Sequence, residues 1–264
     1  MSSRVPTDPE TGRSVLSRTL SILDAFEYRD RDVALTTLAH RTGLPKATVF
    51  RIVNELVRWG ALERVEHGYQ LGVRLFMLGE KVPRQGSLRD IALPYLEDLY
   101  EATHENVNLA VLHGTDVLFL ARVTGHRSSD VLLRVGDTLP AHSTSTGKAL
   151  LAYAPRHAVR RVIDAGLPRL APNTVVMPGM LQRQLRTVAS RGYAVNIEET
   201  HRGIVSVAAP IFGTDRAAIA AVSITGVAGR VNVHRLAPAV RTATLALSRV
   251  IATEDARMRA DRQR

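Results

Sequence analysis

The chain of 264 residues has no cysteine, and that absence removes a disulfide framework, a thiolate zinc site and a cysteine nucleophile together. Nothing in it requires an oxidising compartment. A long apolar run is also missing. The longest weakly polar stretch, Ala217 to Gly229, is broken by Ser223, Thr225 and Gly226 and falls short of the roughly 20 residues a membrane helix needs. The opening, Met1 to Gly12, is polar and carries Asp8 and Glu10, so it lacks the basic-then-apolar profile of a secretory signal. A cytoplasmic protein with no membrane partner is expected. No internal repeat is present.

What is there describes a globular chain, with 45% hydrophobic and 23% charged residues. At roughly 150 residues per domain, its length suggests two domains. The formal charge of +10 fits attraction to a polyanion, but charge bears on association rather than on fold. The excess is not concentrated at the start. Residues 1–85 hold thirteen Lys or Arg against ten Asp or Glu, an excess of only three. The stretch from Arg230 onward is the most basic, and it reads as the solvated face and frayed end of a terminal helix.

From Ser14, Leu16, Leu20 and Leu23, flanked by Ile22 and Phe26, recur at helical spacing until the charged stretch Arg29 to Asp32. Thr36 or Thr37 can cap a short second helix through Arg41, since a hydroxyl accepts from a free amide at a helix start. Gly43 supplies the turn. Pro45 suits the first position of a third helix, where a missing amide hydrogen costs little, and Gly60 ends it. On that helix Val49, Ile52, Val53, Leu56 and Val57 share one face, leaving Ala47, Thr48, Arg51, Asn54 and Arg58 outward. Two extended segments, Leu62 to Val65 and Tyr69 to Leu71, flank His67 and Gly68 as a hairpin of the size of a wing.

Three helices and a wing over residues 14–72 are the arrangement that lays one helix in the major groove. The expected contacts to double-stranded DNA are Thr36, Pro45, Lys46, Ala47, Thr48 and Arg51, with Arg64 and His67 from the wing. Thr48 and the helix amides can hold phosphate oxygens, and Arg51 can offer its fork to a guanine edge. A three-helix packing unit with no nucleic-acid role is the alternative.

Residues 73–87 read as a linker helix, Gly72 to Val82, and a boundary punctuated by Pro and Gly from Pro83 to Ser87. A second domain follows over 88–255, with a charged tail at 256–264 and an arm at 1–13. A helix is expected at Leu88 to Thr103. Strands are expected at Val107 to Leu112, Val117 to Val123, Val131 to Arg134, Tyr193 to Ile197, Val205 to Ile211 and Ala217 to Thr225. Helices near Lys148 to Tyr153, Ala158 to Ala165, Leu181 to Arg191 and Leu236 to Ile251 intervene, giving an α+β chain. The hydroxyl-rich approach His142 to Lys148 can cradle an anion at a helix start, or it can simply cap that helix. Ser223 and Thr225, two apart in a strand, share a face and line either a pocket or a solvated surface.

"SVLSRTLSILDAF", "LTTLAHRTGLPKATVFRIVNEL" and "YQLGVRLFMLG" resemble, in order and spacing, successive blocks of the IclR family of bacterial transcriptional regulators. The resemblance continues through "NVNLAVLHG", "RVGDTLPAHSTSTGKALLAY", "GYAVNIEE" and "GIVSVAAPIFG" and covers most of residues 14–226. It implies a winged helix-turn-helix followed by a GAF-like domain that binds a small-molecule effector, commonly an organic acid or an aromatic catabolite, without a cofactor. It also implies a homodimer or dimer of dimers on a palindromic operator, joined through helices 14–27 and 72–82. The family's pocket positions fall on Leu139, Ser145, Thr146, Asn196, Ser206, Ser223 and Thr225. Three depart from frequent choices: Asn196 replaces an aspartate, Ser206 a cysteine and Thr225 a serine. Loss of the aspartate removes a charge that would repel an acid.

An enzyme is the rival from another class, and its signals fail. Lys148 follows Gly147, but Ala149 stands where a phosphate loop needs Ser or Thr, and His142 where it needs Gly. Glu198, Glu199 and His201 match no zinc spacing and read as charged surface. His142 beside Ser143 is no triad. A second rival keeps the regulator and makes the C-terminal domain an oligomerisation module without ligand.

Overall fold

The computed structural model describes residues 14–28, 30–82, 85–125 and 133–262. Two compact units divide the chain, one up to residue 86 and one from residue 87 onward.

The first unit runs α1 (Val15–Asp24), α2 (Leu35–Thr42), α3 (Lys46–Trp59), β1 (Leu62–Val65), β2 (Gly68–Leu71) and α4 (Val73–Gly79). Ser14 caps α1 by accepting the Ser17 amide at 3.0 Å. Leu38, Val49, Val53 and Leu62 are buried with Ile22 in one core, each contributing roughly 1.5–3 kcal/mol by leaving water. The face of α3 that points inward is the one its periodicity marks.

Two expected starts shift. α2 begins at Leu35 with Ala34 as its cap and no side-chain bond there, so neither Thr36 nor Thr37 caps it. The reason lies upstream: Val33 pairs with Tyr69 through both backbone bonds, at 2.8 and 3.0 Å, and this single bridge to the two-stranded wing fixes where the chain enters the helix. Pro45 is the cap of α3 and not its first helical residue. Its ψ of 136° is extended, and its carbonyl accepts from the Thr48 and Val49 amides at 2.9 and 3.0 Å. Between the helices Gly43 takes φ +68°, a left-handed turn that a Cβ would strain.

The second unit contains α5 (Gln85–Thr103), β3 (Asn106–His113), β4 (Asp116–Val123), β5 (Thr138–Pro140), a 3-10 turn at Ala141–Ser143, α6 (Ser145–Leu151), α7 (Arg156–Asp164), α8 (Pro178–Arg191), β6 (Ala194–Ile197), β7 (Ile204–Phe212), β8 (Ala218–Val227) and α9 (Val233–Arg262). The strands form one antiparallel sheet in the order β5-β4-β3-β8-β7-β6. Alternate residues point to opposite faces. Leu109, Val207 and Ile224 meet α5 and α9 on one side. Ala110, Ala208 and Ala221 meet α6, α7 and α8 on the other. Their small side chains let α6 approach closely.

Half of the strand expected at Val131 to Arg134 lies outside the described residues, as do residues 1–13, and Leu133 and Arg134 are not in a strand. One edge of the sheet is β5 and the other β6. The terminal helix begins three residues before its expected start and continues well past Ile251, with Arg257 pairing Glu254 on its exposed face.

Candidate functional site

Thr36, Lys46, Ala47, Arg51 and His67 are exposed in the first unit, and Thr48 is half-buried. Among the described residues neither Lys46 nor Arg51 forms an ion pair, so both side chains are available to a partner. Arg64 is held: its guanidinium donates to Asn54 Oδ1 at 3.4 Å and to the Tyr69 hydroxyl at 3.3 Å, and it lies over the Tyr69 ring at 5.6 Å. That contact ties the wing to α3. Arg41 braces the far side, donating to Asp30 at 2.5 Å and to the Ala25 carbonyl at 2.9 Å, and this guanidinium holds the Asp30 carboxyl below its ordinary range. Arg74 donates to the Trp59 carbonyl at 2.9 Å and stacks on its ring at 4.4 Å, joining α4 to the end of α3.

In the second unit the family-suggested positions gather on the sheet face beneath α6. Register places Asn196 opposite Ser206, Ser206 opposite Thr225, and Thr225 opposite Asn106, a polar row across β6, β7, β8 and β3. Ser145 of α6 shares a 2.7 Å hydrogen bond with Ser206. Asn108 donates to both Ser223 and Thr225 at 3.4 Å, so those two hydroxyls do share a face, and it is an interior one. Thr146 is buried in α6, and Leu139 packs partly buried against the same core. Asn106 and Asn108 belong to this row and were not singled out from sequence; their alternation in "NVNLA" is the signal that marks them.

Asn196 is fully engaged. Its amide donates to the Ser143 carbonyl at 3.1 Å and to the Thr200 hydroxyl at 2.7 Å, while its oxygen accepts the Glu199 amide at 2.8 Å. It therefore pins the approach to α6 against the chain after β6. Of the two readings of His142 to Lys148, an anion cradle or a helix cap, the cap is what forms: Thr144 accepts the Gly147 amide at 3.0 Å at the start of α6. Gly147 is required there: a Cβ would stand 2.1 Å from the Ala141 carbonyl oxygen.

The expectation of a charged surface at Glu198 to His201 fails at Glu199. This carboxylate is buried and accepts from Lys148, itself only 2% exposed, at 2.5 Å. Lys148 also donates to Gln184 Oε1 at 3.2 Å. Burial pushes the ammonium down and the carboxyl up, and their mutual attraction opposes both shifts. The other carboxylate oxygen of Glu199 is buried with no hydrogen-bond partner. Fifty-one positions separate the pair, beyond the reach of local pattern.

His142 and Ser143 are each bonded elsewhere and not to one another. Ser143 donates to the Pro140 carbonyl at 3.0 Å, and the His142 ring, whose pKa burial lowers, meets the Pro168 carbonyl at 3.1 Å. Among the described residues no group of His, Asp or Glu is placed to hold a metal ion, and no helix is long and apolar enough to cross a membrane.

Residues 15–66 match the IclR helix-turn-helix domain, and residues 81–249 match the bacterial transcriptional regulator IclR C-terminal family. The chain is 32% identical over 244 residues to the Pca regulon regulatory protein of Pseudomonas putida, covering 92% of this chain and 84% of that one. It is 34% identical over 241 residues to the glycerol operon regulatory protein of Streptomyces coelicolor, covering 89% and 94%. Among solved structures, an IclR homolog complexed with 4-hydroxybenzoate from Microbacterium hydrocarbonoxydans superposes with a TM-score of 0.85 at 31% identity, covering 91% of this chain and all of that one.

Proposed function

The chain belongs to the IclR family of DNA-binding bacterial transcriptional regulators, and from that membership we propose how its two units divide the work, in the cytoplasm and without turnover of a substrate. α3 enters the major groove with Lys46, Ala47, Thr48 and Arg51 foremost, Thr36 and the Pro45 corner beside the phosphates, and Arg64 and His67 following from the wing. The observation that carries this reading is that, among the described residues, Lys46 and Arg51 are exposed and free of ion pairs on a helix whose opposite face buries Val49, Ile52, Val53 and Leu56.

The effector is a small organic acid or aromatic catabolite, received beneath α6 by Ser145, Thr146, Ser206, Ser223 and Thr225 with Leu139 at the rim. The neighbour that holds 4-hydroxybenzoate supports this class. Asn196 acts as the positioning residue that keeps α6 seated. Because Ser145 bonds Ser206 directly, a ligand that enters between them must separate β7 from α6, and this movement is the switch that shifts the population competent for DNA.

Two copies pair through α1 and α4, whose Leu16 and Phe76 are 68% and 64% exposed, apolar side chains that a partner helix would cover. The dimer presents two α3 helices to a palindromic operator. The ligand half is tested by calorimetric titration with 4-hydroxybenzoate and with aliphatic acids. Saturable heat that Ser145→Val abolishes is expected. Equal heat from both proteins, or none from the wild type with any acid, contradicts it.

A further inference from the structure

One cavity lies away from the polar row. It occupies about 230 Å³ between α8 and the free edge of β6, and its lining includes Lys148, Arg183, Gln184, Thr187, Arg191 and Val195. The α8 contributors recur at steps of three or four, so a single helix face supplies them. The lining carries three cations and no carboxylate.

Its donors are preset. Arg191 spends its Nε on the Tyr193 carbonyl at 2.7 Å and stacks on the Tyr193 ring at 4.3 Å, which fixes the guanidinium plane and leaves the two terminal amino groups. Gln184 accepts from buried Lys148 through Oε1 at 3.2 Å, which orients its amide and leaves Nε2. Arg183 has no carboxylate partner among the described residues. Glu199 compensates Lys148, so two guanidinium charges face the cavity without an opposing acid. The positive charge of Arg191 is felt at Lys148, where it adds to the burial that holds the ammonium down.

We propose that this cavity is a second small-molecule site, distinct from the pocket beneath α6, and that it takes a small dianionic oxyacid, a phosphate ester or a dicarboxylate, gripped by Arg183, Arg191 and the Gln184 amide. Planar forks suit both oxyanions, and two uncompensated cations match two negative charges. Gln184 connects the bound anion to Lys148, and Lys148 lies on α6. The site therefore bears on the same helix as the effector pocket but does not require that pocket to be occupied.

Thermal unfolding of the full chain tests this at constant ionic strength, with inorganic phosphate and succinate as probes and chloride as the balancing salt. Once the anion exceeds its Kd several-fold, the midpoint should rise by about 2–4 °C. The rise should vanish in Arg183→Gln and in Arg191→Gln. It should persist in Arg186→Gln, an exposed change on the same helix outside the cavity, and in Ser206→Ala, which alters only the pocket beneath α6. A rise with phosphate alone assigns the site to phosphate esters, and with succinate alone to dicarboxylates. No rise in the wild type, an undiminished rise in both arginine variants, or loss of the rise in Ser206→Ala overturns the proposal, the last by moving the anion to the other pocket.

Discussion

The two units use polar side chains in opposite ways. The first keeps Lys46 and Arg51 outside and without an ion pair among the described residues, over a core of hydrophobic residues. The second carries polar groups inside, where Ser145, Ser206, Asn108, Asn196, Lys148 and Glu199 answer one another. A face meant for a polyanion loses little by waiting in water. A buried polar cluster must be nearly satisfied or the fold suffers, and a cluster so closely balanced is one that a ligand can rearrange. The difference implies that substitutions on the exposed face of α3 cost binding and spare stability, whereas those in the polar cluster of the second unit cost stability as well.

The largest effect expected is at the buried ion pair. Lys148→Met leaves Glu199 buried without its partner and should cost about 3–5 kcal/mol in urea unfolding, while Lys148→Met combined with Glu199→Leu should recover most of that. A loss below about 1 kcal/mol in the single variant would erase the contrast between the units. Next comes Arg51→Ala, which should weaken specific DNA binding by about 1–3 kcal/mol with an unchanged melting temperature. If melting falls with affinity, Arg51 is a packing residue and the division fails there.

Ser206→Ala should cost about 1 kcal/mol of stability by stranding the Ser145 hydroxyl, and it should also weaken organic-acid binding; differential scanning calorimetry and titration give the two numbers separately. The smallest effect is a pH dependence within the first unit. Arg41 lowers the Asp30 pKa in the folded state, so the pair's contribution, about 1 kcal/mol or less, is complete above the unfolded aspartate value of about 3.9. It is lost as pH falls through the lower folded value. Asp30→Asn should therefore destabilise at pH 6 and converge with the wild type at acid pH; parallel curves down to the acid limb would remove this brace.

Legibility followed the range of the interaction. The inward face of α3, with Val49, Ile52, Val53 and Leu56, is written in a 3.6-residue period and bounded by Gly43 and Gly60, so it was readable. Strands β3, β4, β7 and β8 were readable from apolar runs between turn residues. The start of α2 was not, because Val33 is placed by Tyr69 across the wing. Three-residue β5 is too short to show alternation. Glu199 looked like surface because its neighbours Glu198 and His201 are charged, and only the fold brings Lys148 to it. Ser145, Ser206 and Asn196 were reached through resemblance, and the geometry adds that Asn196 braces α6.

The most direct test of the central claim, that the α3 face reads sequence under control of the second unit, is a titration at matched salt. Duplexes enriched by the full chain from a random pool are compared with shuffled duplexes of equal length, each with and without 4-hydroxybenzoate or a related organic acid that binds by calorimetry. Enriched duplex should bind at least ~10³-fold more tightly than shuffled duplex, and the bound acid should change only the former affinity. Equal affinity for the two duplexes, or an acid that binds without altering either, would contradict the account.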